Sequence, residues 1–212
     1  MLQEQTIKAS TLELLKRLMN DSALTDFYLV GGTALALQIG HRISVDLDLF
    51  STTAFDSVQM REYLENEYGF RTDYMAANTL KGEISNVKID CIMHRYKWLD
   101  TYTEDGIRLA GLKDICAMKL NSIAGNGTRI KDFIDLAYLS EYYPLRQMLD
   151  FFQEKYNANA VMVLKAVTFF DEINYNEPIK LCNVKKLNWK KIEKRLLEMS
   201  KFMDKKFSEP PL

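Results

Sequence analysis

The sequence predicts a mixed α/β (α+β) fold, with a small mixed-sheet domain over residues 1–110 and a helical domain over residues 111–212. Two patterns predict it. Short apolar runs and period-two alternation, the mark of strands, recur between Phe27 and Met93. After about residue 110 helical spacing takes over, punctuated by Gly125, Asn126, Gly127 and Pro144. A chain of 212 residues, 47% hydrophobic and 27% charged, is long and apolar enough to bury a real core.

The elements follow in order. Ile7, Leu12, Leu14, Leu15 and Leu18 recur at helical spacing and predict an amphipathic helix over 3–19, ended by Asn20-Asp21. Phe27 to Val30 reads as a short strand running into Gly31-Gly32, with a helix over 33–39 directly after it and Thr33 at its N-cap or in its first turn. From Arg42 the period becomes two. Ile43, Val45, Leu47 and Leu49 face one way, and Ser44, Asp46, Asp48 and Phe50 the other. A helix over 57–68 follows, with Val58, Met60, Tyr63 and Leu64 as its apolar set. Strands over 70–76 and 87–93 flank a turn at Lys81-Gly82. The second half reads as helices over 112–123, 130–142, 145–156, 158–170 and 189–205, with a loop over 174–187.

Charge and residue counts narrow the chemistry. A net charge of −1 argues against a generally basic nucleic-acid binder, while leaving room for a local basic patch. No apolar run has the length of a membrane span, and the first residues lack a signal-peptide pattern. Three dispersed cysteines, Cys91, Cys116 and Cys182, fit buried thiols in a reducing cytoplasm. With only two histidines, His41 and His94, a bound metal has to be held by oxygen. His41 is given no catalytic role.

Asp46 and Asp48 form a D-x-D on one predicted strand face, their carboxylates less than about 7 Å apart. Two like charges on an apolar sheet call for a cation, and Mg²⁺ suits them because it takes oxygen ligands and keeps sites for water and phosphate. Taken alone, the same spacing fits a solvated strand edge. Gly31-Gly32 lets the backbone approach a bulky anion at the start of a helix; alone, it fits an ordinary tight turn. The order strand, Gly-Gly, helix, acidic strand sets a phosphate cradle beside a cation site. Asp90, an isolated charge in Val-Lys-Ile-Asp-Cys-Ile, is the candidate third carboxylate; its alternative is an edge-strand pair with Lys88.

These residues resemble the signature of the DNA polymerase β-like nucleotidyltransferases. The form GGTAL…HR-x-S-x-DLDLF is most similar to the AbiEii-type toxins of type IV toxin–antitoxin systems. The resemblance continues at Asp90 and at Lys119, Lys131, Asp132 and Asp135, covering about residues 27–140; the C-terminal 70 residues carry no matching motif. It implies transfer of an NMP from an NTP to an acceptor hydroxyl, with Asp46, Asp48 and Asp90 holding two Mg²⁺ ions and Asp90 also taking the hydroxyl proton. Gly31, Gly32 and Ser44 are then expected to hold the β- and γ-phosphates, and Arg42 to brace the Gly-Gly loop or touch a phosphate. Lys119 is expected to neutralise phosphate charge.

Asp132 and Asp135, three apart on a helix, share a face: one is placed to orient Lys119 or Arg129, the other to bind a sugar hydroxyl, unless both belong to a solvated ion-pair face. The toxin resemblance further implies tRNA as acceptor and a separately encoded antitoxin as partner. Lys185-Lys186, Lys190-Lys191, Lys194-Arg195 and Lys205-Lys206 are candidates for an RNA grip or for plain solubility. The alternatives are a small-molecule acceptor of the aminoglycoside kind, a protein acceptor, or a non-catalytic domain that binds nucleotide or a partner.

Overall fold

The computed structural model describes residues 1–212. The chain divides into two compact units, Met1–Ala110 and Gly111–Leu212.

The first unit is a seven-stranded mixed sheet with three helices: β1 (Tyr28–Val30), β2 (Leu47–Ser51), β3 (Arg71–Ala76), β4 (Thr79–Ile84), β5 (Val87–Met93), β6 (Thr101–Glu104) and β7 (Ile107–Ala110), in the order β3-β4-β5-β2-β1-β7-β6. β2 pairs parallel to β5, and β1 parallel to β7; the other pairings are antiparallel. Helix α1 (Ala9–Asn20) packs on β7, α2 (Gly31–Ile39) on β1 and β2, and α3 (Ser57–Tyr68) on β3 and β4. Leu29, Leu47, Leu49, Leu80, Ile89 and Cys91 form the core with these helices, each buried side chain contributing about 1.5–3 kcal/mol.

Four expectations change here. The predicted strand from Arg42 is a strand only from Leu47, and Val45 is exposed. The reason is local: the Ser44 amide donates to the Thr6 carbonyl at 2.9 Å, and Arg42 and Ser44 are buried. The backbone is committed to loop contacts there, so the alternation carries no strand. Lys81-Gly82 lies inside β4 rather than in a turn. A Cβ on Gly82 would come within 2.1 Å of the Arg71 carbonyl, so glycine is there because β3 crosses close. The turns fall instead at Ala77-Asn78 and Ser85-Asn86, where Asn78, Ser85 and Asn86 have positive φ. Hairpin β6–β7, turned by Asp105-Gly106 at φ 51° and 78°, adds two strands to those expected, at an Asp-Gly pair that is itself a strong hairpin signal. The first helix begins at Ala9 after a 3-10 turn at Glu4–Thr6.

The second unit holds α4 (Leu112–Gly125), α5 (Ile130–Leu139), α6 (Leu145–Tyr156), α7 (Val161–Ala166) and α8 (Trp189–Lys201). Helix α4 packs against α5, α6 and α7, and α5 against α8. Phe133 sits edge-on to Phe170 and Trp189, with centroids 5.8 and 6.3 Å away. Helices α5, α7 and α8 are shorter than their apolar periodicity suggests. A pair invisible to periodicity, Lys155 and Asp114, ties α6 to α4 at 2.5 Å with both side chains fully buried. Burial disfavours the Lys155 charge and lowers its pKa, while the Asp114 hydrogen bond opposes that. Burial also pushes the Cys91 thiol up to about 12, and that of Cys116 upward. No helix is long and apolar enough to cross a membrane.

Candidate active site

The site in the first unit begins where β1 ends. Val30 leads into α2 without a polar side chain to cap it, and Gly31 takes φ +68°, a left-handed conformation that favours glycine. A Cβ on Gly31 would stand 2.3 Å from Asp48 Oδ2, and one on Gly32 would stand 2.3 Å from Arg42 Nη2 and 3.4 Å from Ser44 Oγ. Both glycines are thus required by close approach: the first by a carboxylate, the second by a guanidinium. Thr33, in the first turn of α2, reaches Ser44 Oγ at 2.9 Å and donates to the Asp46 carbonyl, tying the helix start to the acidic loop. It is not the N-cap; that position is Val30.

Sheet register brings the carboxylates together. Asp48 on β2 is paired with Asp90 on β5 across parallel neighbours, so the two point to the same face about 5 Å apart. Both are half-buried. Asp46 is different: it is exposed, in the irregular segment before β2, and is not part of the paired row. The expected three-carboxylate set is therefore a pair, and no three acidic, histidine or cysteine side chains form a metal-binding group. The pair still suits a hard divalent ion. Two carboxylates on one face would supply part of its oxygen shell, as in sites where Mg²⁺ takes one or two carboxylates and keeps several waters. The anticipated Lys88 partner of Asp90 is replaced by Lys81, whose Nζ lies 2.6 Å from Asp90 Oδ2.

In the second unit, Lys119 on α4 is held between two aspartates of α5, Asp132 Oδ1 at 2.7 Å and Asp135 Oδ2 at 2.6 Å. Its side chain is only 7% exposed, and those of the aspartates 2% and 0%. Both aspartates bind the ammonium, so the expected division of one for a cation and one for a sugar hydroxyl does not occur in this arrangement. Asp132 Oδ2 is buried without a hydrogen bond, and the Arg129 Nε lies 3.6 Å from it. On α8 and before it, Lys185, Lys186, Lys190, Lys191 and Lys194 are exposed, while Arg195 turns to Ser140 Oγ and the Glu209 carbonyl.

A profile described as "Nucleotidyl transferase AbiEii toxin, Type IV TA system" matches residues 13–212, nearly the whole chain. The chain belongs to the AbiEii nucleotidyltransferase family. An uncharacterized protein of Aquifex aeolicus (strain VF5) is 31% identical to this AbiEii member over 174 residues, covering 78% of this chain and 84% of its own. Two Helicobacter pylori structures are similar in fold. One, described as a candidate nucleotidyltransferase, has a TM-score of 0.54 at 15% identity, covering 93% of this chain and 96% of its own. The other, named JHP933, has a TM-score of 0.53 at 17% identity, covering 95% and 92%. This AbiEii chain matches the family profile through its C-terminal third as well, where no motif was legible.

Proposed function

We propose that this AbiEii protein moves an NMP from an NTP to a hydroxyl of tRNA, with Mg²⁺, as the toxin of a cytoplasmic toxin–antitoxin pair. The observation that carries the reading is the Asp48–Asp90 pair set in register beside a Gly-Gly helix start that Asp48 itself abuts. A carboxylate pair draws a divalent cation; uncapped amides at the start of α2 and the Arg42 guanidinium draw phosphate. The two requirements of an NTP site meet where Asp48 abuts the start of α2.

Asp48 and Asp90 would hold Mg²⁺. When bound, Mg²⁺ neutralises charge on the triphosphate and on the leaving pyrophosphate. Gly31, Gly32 and Ser44 hold the β- and γ-phosphates, and Arg42 braces the loop from beneath Gly32. The acceptor hydroxyl attacks the α-phosphorus in line while Asp90 takes its proton. Lys119 we assign a positioning role: with its ammonium committed to Asp132 and Asp135, it fixes α4 against α5 rather than serving first as a phosphate ligand. The exposed lysines around α8 supply a backbone grip for tRNA.

The test is transfer of label from each α-³²P NTP to total tRNA, alongside Asp48→Asn. Labelled tRNA, with the rate in the variant down by at least about 100-fold, supports the reading. Label on protein or on a small molecule would keep the chemistry and replace the acceptor. No label on any acceptor would contradict it.

A further inference from the structure

Lys81 stands in the sheet row that carries the acidic pair. The register runs from Lys81 on β4 to Asp90 on β5 and on to Asp48 on β2, so the three side chains share one face. Like charges directly opposite on neighbouring strands destabilise a sheet. Lys81 offsets this from within the chain, its Nζ 2.6 Å from Asp90 Oδ2.

The contact is not a deeply buried one. The Lys81 side chain is 40% exposed and that of Asp90 26%, so the pair lies at the solvent edge, where an ion pair is weak and a flexible four-carbon stem swings away at little cost. Compare the Lys119 ammonium, locked between two carboxylates with almost no exposure.

We propose that Lys81 is a displaceable internal cation, which neutralises Asp90 until a divalent metal arrives and thereby sets how tightly that metal binds. The inference rests on the reading of Asp48 and Asp90 as metal ligands. A metal held by Asp90 would share that carboxylate with the Lys81 ammonium and repel it, like charge against like charge. The ammonium gives way, because the metal brings two charges and Asp48 as a second ligand.

Two measurements on the full chain test this. Mn²⁺ binding, followed by the EPR signal of free Mn²⁺, is compared for wild type, Lys81→Met, Lys81→Arg and Asp48→Asn. Lys81→Met should bind about three- to fivefold more tightly, the equivalent of one surface ion pair removed. Lys81→Arg, which keeps the charge, should match wild type within about twofold. Acetylation of Lys81, read by peptide mass spectrometry, should be at least about threefold faster with saturating Mg²⁺ than with chelator, and unchanged by Mg²⁺ in Asp48→Asn. Wild-type Mn²⁺ binding that Lys81→Met leaves unchanged or weakens, or acetylation indifferent to Mg²⁺, overturns the displacement alone. Absence of any Mn²⁺ binding sensitive to Asp48→Asn removes the metal site, and the counter-ion role with it.

Discussion

Gly31 and Asp48 compete for the same space. A methyl group on Gly31 would lie 2.3 Å from the Asp48 carboxylate, at a φ of +68° that L-residues rarely adopt. Gly31→Ala should therefore lower stability by about 1–3 kcal/mol in a urea melt and also reduce transfer, because relief of the clash moves Asp48 off its row. An alanine variant with unchanged melting and unchanged transfer would show that the close approach has no functional weight. At this scale the sequence was informative. Asp48, Asp90 and the glycine pair were legible because each breaks its local pattern: a charge in an apolar strand, or two glycines where a strand meets a helix. Asp46 was misplaced because its alternation with Val45 imitates a strand, whereas Thr33 and Thr6 hold that segment as a loop. Lys81 is not legible as the partner of Asp90, because the glycine next to it suggests a turn, and only the approach of the Arg71 backbone explains that glycine.

At the scale of elements, α4 and α5 are joined by charge as well as by apolar packing. Lys119→Met would leave Asp132 and Asp135 buried with no ammonium between them, a loss of about 3–5 kcal/mol. Thermal or denaturant unfolding measures it; a variant as stable as wild type would show that these carboxylates accept protons or water without penalty. Asp132→Asn should cost less, because Asp135 remains on the ammonium. The helices of this unit were legible from 3.6-residue spacing, and α6 has the predicted limits. The pairing of Lys119 with both aspartates was not, because spacing places charges on a face without saying what that face meets. Hairpin β6–β7 shows the opposite failure. Asp105-Gly106 announced it, but strands of four residues are too short for alternation to stand out.

At the scale of the molecule, a net charge of −1 conceals an uneven surface, with the exposed lysines at 185, 186, 190, 191 and 194 gathered around the start of α8. If these grip a tRNA backbone, replacing Lys190, Lys191 and Lys194 with Glu should weaken tRNA binding and leave NTP binding unchanged. The slope of log affinity against log salt should fall by about one per lysine lost from a phosphate. Equal tRNA affinity in wild type and variant would assign these lysines to solubility alone. The two compact units divide the candidate residues, the acidic pair and glycine cradle in one and the Lys119 cluster in the other. The acidic pair is the centre of the proposed site. The measurement that tests it most directly is the anomalous Mn²⁺ signal in crystals grown with a non-hydrolysable NTP. The expected result is a peak coordinated by Asp48 and Asp90, with triphosphate oxygens at Gly31 and Gly32. A peak elsewhere, with Lys81 still on Asp90 and no phosphate at the start of α2, would contradict it.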